Sequence, residues 1–334
     1  MADTYTKVKD ITVNITTSSA AGSIGLGIPL VIAGMHTTEI PYKECNGLDD
    51  VVAAGFAAST EVYKACAVIF AQRNNPKTVA VCATTGKIGT WLGENGNLDF
   101  RQIVPVLGTD DSTVAELITA ASAAEMKMLF LHVKTAAEIP EATSERVVCV
   151  VYGGASEYPN AAVVGASAGL AAGSFTYKNL ILTGVEPEDL GAAAVKAVHD
   201  AGGICIVKKA GDIVTSEGIT TDGEYIDIVD SKDYVISNII YQGQKLLNDN
   251  LKLTFDNVGI SQLESVVTNV LADAYANGII ATNDEGTADY STNFAGRSEV
   301  SASDRAARTY KGGSFTFGLA GAIHNATVNG TLVV

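Results

Sequence analysis

Hydrophobic and polar positions alternate at both ends of the chain. In "KDITVNITTSS", Ile11, Val13 and Ile15 are each separated by a polar residue, the period of a strand with one covered face. At the other end, "AIHNATVNGTLVV" places Val334, Leu332 and Gly330 on one side of an extended strand, with Val333, Thr331 and Asn329 on the other. Asn329-Gly330 suits a tight turn, yet only four residues follow it, so a self-contained hairpin would be short. Chain ends are usually polar and frayed, because they bury too little to offset the entropy of ordering them. These two instead read as lone strands whose pairing edge lies elsewhere.

Between them the pattern changes twice. From Leu48 to Gln72 the apolar residues Val51, Val52, Phe56, Val62, Cys66, Ile69 and Phe70 keep helical spacing, with a break near Ala58-Ser59. "TVAVCAT", "RQIVPVLG", "KMLFLHV" and "RVVCVVYGG" are continuous apolar runs, as in strands buried on both faces. Thr113 and Glu116 form a capping box ahead of Leu117, Ile118 and Ala121, which predicts a helix. Strands and helices thus interleave from 48 to 154 as an α/β unit.

After Pro159 small residues take over, and "NAAVVGASAGLAAGS" reads as a closely packed helix. "NLILTGV" predicts a short strand, Pro187 opens a helix reaching about His199, and "GICIVKK" with "DIVTSEGI" predicts a hairpin. "EYIDIVD" alternates and reads as a strand, followed by a helix from about Asp233 to Asn248. A second long helix has Ser261 and Glu264 as its capping box, a stripe from Leu263 to Ala274, and Asn277-Gly278 as its stop. A polar loop, "ATNDEGTADYSTN", then leads to a basic cluster of Arg297, Arg305, Arg308 and Lys311.

Composition narrows the function. With 334 residues the chain exceeds one typical domain, so two folded units are expected. Its net charge of −15 argues against nucleic acid and anionic membrane surfaces, both of which need basic stripes. The five cysteines, Cys45, Cys66, Cys82, Cys149 and Cys205, lack ligand spacing and mostly lie in apolar runs, so buried reduced thiols are expected. The N-terminus lacks the order of a signal peptide, and Gly22 to Met35 is too short to span a bilayer, which together suggest a cytosol-like compartment.

Motifs for chemistry are weak. Gly165-Ala-Ser167-Ala-Gly169 matches the nucleophile elbow of serine hydrolases, and His199 is the histidine such an enzyme would use. The Ala- and Gly-rich residues on both sides favour a packed helix instead. "TTGKIGTW" lacks the phosphate-loop spacing, with Ile88 where a hydroxyl belongs, and "GSIGLG" lacks the dinucleotide-binding context. The four histidines are scattered, and "NDEGTAD" lacks calcium-loop spacing. No cofactor or metal is expected. Arg305 and Arg308 share a helical face, suited either to pairing with Glu299 and Asp304 or to docking an acidic partner.

In order and texture, several stretches resemble the sheath protein of contractile phage tails and the related R-type bacteriocins. They are "YPNAAVVGASAG", "LTGV" ahead of a helix, "EYIDIVDSKDYVISNIIYQGQKLL", "NVGISQLESVVTNVLADAYANGII" and "GSFTFGLAGAIHNATVNGTLVV". The resemblance covers about half the chain, from Pro159 to Val334, and weakens in the α/β region.

That resemblance implies a mixed α+β and α/β fold. A core domain would span 21–47 and 155–310, with one inserted α/β domain at 48–154, an N-terminal arm at 1–20 and a C-terminal arm at 311–334. The arms would add strands to neighbouring subunits through Ile11, Val13, Ile15, Ile323, Val328, Leu332 and Val334. Arg305, Arg308 and Lys311 would face an inner tube. The implied partners are further copies in stacked sixfold rings, the tail tube protein, and baseplate and tail terminator proteins. The implied location is a virion tail or bacteriocin particle assembled in the host bacterial cytoplasm. No catalytic residue is implied.

Overall fold

The protein is described from a computed structural model that covers residues 26–106, 112–124 and 126–327. The lone strand at Ile11, Val13 and Ile15 lies outside those residues, as do Val328, Leu332 and Val334.

Eight strands build one sheet: β1 (Ile28–Ala33), β2 (Ile40–Cys45), β3 (Val79–Ala83), β4 (Phe100–Val106), β5 (Met128–Val133), β6 (Val147–Val151), β7 (Gly203–Lys209) and β8 (Asp212–Thr215). Their order is β2-β3-β1-β4-β5-β6-β7-β8, parallel from β3 to β7 with an antiparallel strand at each edge. Helices cover both faces. On one side α1 (Leu48–Ala53), α2 (Glu61–Phe70) and α5 (Pro159–Ser167) pack on Val31, Val81, Val104, Phe130 and Val150. On the other, α3 (Ile88–Asn95) and α4 (Ser112–Ala123) pack on Leu30, Ile32, Cys82, Leu129 and Cys149. Successive residues of a strand point to opposite faces, so only a strand buried on both sides carries an unbroken apolar run.

β1 illustrates the consequence. Its sequence reads as a short hydrophobic stretch of no assigned structure, yet Leu30, Val31 and Ile32 are fully buried between β3 and β4. β1 precedes residue 48 and β7 follows residue 154, while β3 to β6 lie between them. The expected boundaries of an inserted domain therefore fall within one continuous sheet.

The helical expectations at 48–72 and 113–121 match α1, α2 and α4, with the break between α1 and α2 at 54–60. The Thr113 side chain lies outside the described residues. The predicted hairpin is β7 and β8. "NLILTGV" is not a strand. Asn179 has φ 60°, which turns the backbone, and only Ile181 bridges to Val214. Beyond it the Gln72 amide serves as a strand neighbour: Thr183 N donates to Oε1 at 2.9 Å, and Nε2 donates to Thr183 O at 2.9 Å. The helix expected from Pro187 is shorter, α6 (Ala192–Asp200).

Two long helices follow, α7 (Ile226–Asp249) and α8 (Asn257–Ala276). The strand expected at "EYIDIVD" is in fact the first turns of α7, because Ile226, Val229, Asp230, Asp233 and Tyr234 recur at helical spacing and are all buried. α8 is capped by Asp256, whose side chain accepts from Gly259 N at 3.0 Å, so the expected box at Ser261 lies inside the helix. Its stop is as read: Asn277 follows the last turn, and Gly278 takes φ 79°. A small separate core of Tyr234, Val235, Val267, Val270, Leu271 and Ala274 joins the two helices.

All five cysteines are buried and free. Burial pushes the Cys149 thiol up to about 12, so it stays protonated at neutral pH.

Candidate functional site

Past α8 the chain forms a ribbon of β9 (Tyr290–Phe294) and β10 (Gly313–Phe317), joined by a turn containing α9 (Ala302–Ala306). The strands are antiparallel, with Phe315 opposite Thr292 and Phe317 opposite Tyr290. β9 carries the alternation of Tyr290, Thr292 and Phe294 within and just after the stretch expected as a polar loop. Those residues face inward, where Thr292 Oγ1 donates to Glu264 Oε1 of α8 at 2.9 Å and Phe294 and Phe317 join the α7/α8 core. Ser291 and Thr316 pair at 2.9 Å on the outer face.

Each strand of this ribbon has a single strand partner among the described residues, so each retains an open pairing edge. Within the stretch expected as a C-terminal arm at 311–334, residues 313–317 pair with β9 of their own chain, and Ala320 N donates to Ile279 O at 2.9 Å.

After residue 320 the chain leaves regular structure. Ile323 is 89% exposed, whereas the next side chain is held by the body of the molecule. His324 Nδ1 lies 3.1 Å from Glu217 Oε1, Nε2 lies 3.1 Å from Thr176 Oγ1, and the ring stands edge-on to Tyr225. Sequence reading gave His324 no role, and only its contacts 107 and 148 positions away reveal one, as the point from which residues 325–327 depart (324 − 217 and 324 − 176).

The three basic residues differ in their engagement. Arg305 turns inward, its guanidinium donating to the carbonyls of Val300 and Arg297, the latter at 3.2 Å. Lys311 pairs with Asp304 at 2.9 Å and is largely exposed. Ser301 caps α9, its Oγ accepting from Asp304 N at 3.0 Å, and that hydroxyl with Lys311 holds the Asp304 carboxyl below its ordinary range. Arg308, at φ 55°, has no side-chain partner among the described residues. Glu299 accepts from Gly296 N at 2.7 Å rather than from the arginines.

The hydrolase alternative fails on geometry. Ser167 sits in α5 rather than on a strand-to-helix elbow and is 1% exposed. Its hydroxyl donates to Val163 O at 2.9 Å and accepts from Gln102 Nε2 at 3.2 Å. His199 contacts Ser216 Oγ at 2.8 Å instead. The glycines of the motif serve close packing: a Cβ at Gly165 would lie 2.6 Å from Ile69 O, and one at Gly169 would lie 2.2 Å from Asn74 O.

A buried charged cluster joins the sheet to α7. Arg101 donates to Asp230 and Asp233, and Arg146 donates to Asp233 through both terminal nitrogens. Tyr177 OH donates to Asp230 Oδ2 at 3.0 Å. Burial alone would push the Arg101 guanidinium down, but the two carboxylates outweigh it and raise it.

Lys127, nearby and buried, donates to the carbonyls of Leu98 at 2.8 Å and Phe100 at 2.6 Å, and burial lowers it from 10.5 to about 8. Below pH 8 both folded and unfolded chains carry this proton, and the fold bears the cost of burying the charge. Between 8 and 10.5 the unfolded chain binds more protons, so stability rises with pH. In urea titrations, wild type should gain roughly 2 kcal/mol relative to Lys127→Met between pH 8 and 10. A pH-independent difference would show that the lysine keeps its proton.

No family model matches the sequence, and no curated protein aligns with it. Solved structures do match the fold along nearly its whole length. The sheath complex of an extracellular contractile injection system in its contracted state has a TM-score of 0.72 at 12% identity, covering 98% of each chain. The helical sheath of the anti-feeding prophage, also contracted, gives 0.70 at 13% identity, covering 98% of this chain and 99% of that one. The sheath tail protein of Listeria innocua gives 0.60 at 12% identity, covering 81% and 89%. The chain therefore has the fold of contractile sheath subunits, across the α/β layers as well as the C-terminal half.

Proposed function

We propose that this protein is the structural subunit of a contractile sheath, polymerising around an inner tube and contracting to drive it through a bacterial envelope. The observation that carries this reading is the whole-chain likeness of fold to sheath subunits. In this reading the open edges of β9 and β10 receive strands from neighbouring copies, with 1–20 and the segment after His324 as the donated arms. Main-chain hydrogen bonds give such added strands their strength, and alternating side chains fix the register. Links of this kind keep subunits connected while their bodies exchange one packing for another.

The partners that follow are further copies, a tail tube protein, and baseplate and terminator proteins, in a phage tail or bacteriocin particle assembled in the bacterial cytoplasm. Binding and repacking are the whole task, and no residue has a catalytic role.

Negative-stain images of the purified protein should show short striated hollow tubes, wide enough to enclose another tube. Closed globular particles would overturn the reading. Within it, Arg308 and Lys311, with Arg305 shaping their turn, face the tube. Replacing all three with Glu should abolish assembly on tubes, because three charges reverse sign on a short basic segment. Normal co-sedimentation of the triple variant with tubes would remove these residues from that interface.

A further inference from the structure

We infer that the outer face of the second half of α7 docks against a second copy of this chain. α7 is well buried up to Asn238 and then emerges from the body. On the emerging part, Ile236, Ile240 and Leu247, with Leu251 just past the helix end, are 43%, 62%, 50% and 110% exposed. At 3.6 residues per turn Ile236, Ile240, Gly243 and Leu247 fall within roughly a sixth of the helix circumference and run for about 17 Å.

Gly243 sits in the middle of this stripe. Glycine is a poor helix former, so one in mid-helix asks for a reason. Gly89, Gly165 and Gly259 each have one, since an added Cβ would meet backbone atoms of their own chain. A Cβ at Gly243 would meet no atom within 4 Å. Gly93 is similarly open, but it lies in the last turn of α3 without exposed apolar neighbours. At Gly243 the missing side chain, flanked by Ile240 and Leu247, makes a notch into which another backbone fits.

Charge identifies the occupant. With a net charge of −15, two copies of this chain repel each other overall. Between Ile236 and Leu251 the only charged side chains are Lys245 and Asp249, which pair with each other at 3.2 Å and cancel. A neutral, apolar, notched face within an acidic surface is where a like-charged copy can approach, whereas a basic partner would be drawn to the acidic surface. The inference rests on the sheath reading in one respect, that the second copy is another subunit of the same lattice.

Gly243→Leu in the full-length protein tests it, because the open space lets the side chain fit the monomer. Thermal unfolding should be unchanged or slightly raised, while the concentration needed for half-assembly, followed by sedimentation and negative stain, should rise at least roughly tenfold. Ile240→Ser with Leu247→Ser should have the same effect without added bulk. A photocrosslinking residue at Gln244 should yield covalent dimers of this chain. Tubes formed by Gly243→Leu at the wild-type concentration would overturn the inference and leave the sheath reading intact. Crosslinks to residues 1–25 of the same chain, or to a tube protein, would also overturn it. Wild-type dimers that Gly243→Leu dissolves, without hollow tubes at any concentration, would support this face while removing the sheath reading. A wild type that stays monomeric would remove both.

Discussion

Replacing Asp233 with alanine is expected to lower the unfolding free energy by about 3–5 kcal/mol, as measured by urea denaturation of the full chain. Asp233 is fully buried and accepts hydrogen bonds from two arginines that reach it from different parts of the sheet: Arg101 in β4, and Arg146 immediately before β6. Arg101 is itself 2% exposed. Removing the carboxylate leaves a guanidinium held in the interior with only Asp230 to balance it. The loss therefore measures a stranded charge rather than the net worth of the ion pair, which burial largely cancels. Arg101 Nε has no partner among the described residues, so even the intact cluster is not fully satisfied. Asp233→Asn, which keeps the shape and drops the charge, should fall between wild type and alanine. A loss below about 1 kcal/mol for the alanine variant would mean that water reaches the arginines and that α7 is held by its apolar contacts alone.

The second large effect is expected at Gly169. An alanine Cβ there would stand 2.2 Å from Asn74 O and 2.7 Å from Asn75 O, both backbone atoms that cannot swing aside. Either the segment following α2 or the end of α5 must move, so Gly169→Ala should cost about 1–3 kcal/mol. Gly165→Ala should be of the same sign, since its Cβ would press on the backbone of Ile69. Gly93→Ala provides the contrast: nothing lies within 4 Å, and the better helix former should be neutral or stabilising by up to about 1 kcal/mol. Equal effects at Gly93 and Gly169 would show that helix propensity rather than packing governs these sites. Ser167 itself is 1% exposed, with its hydroxyl donating to Val163 O. A serine-directed fluorophosphonate should leave the native protein unlabelled.

How much of this was legible in the sequence depended on how far each signal reached. β3, β4, β5 and β6 were readable because a strand covered on both faces must be apolar throughout. The end of α8 was readable because Asn277-Gly278 supplies the positive φ its stop requires. β1 escaped because Gly25, Gly27 and Pro29 disguise its start. The first turns of α7 escaped because alternating Ile and Asp imitate a strand. Only the arginines at 101 and 146 explain why Asp230 and Asp233 point the same way.

The sequence by itself determined an acidic chain with strands and helices interleaved, cysteines in apolar runs and two long C-terminal helices. These follow from local periodicity, composition and turn chemistry, which act over a few residues. Tertiary structure alone decided that β1 lies inside the sheet between β3 and β4, that β9 and β10 close on each other, and that the serine motif is a packing seam. It also decided that His324 bonds to Thr176 and stands edge-on to Tyr225, and that one face of α7 is left bare. Each of these depends on which distant residues come to lie side by side, and contacts between residues well separated along the chain leave no periodic trace in the residues that make them.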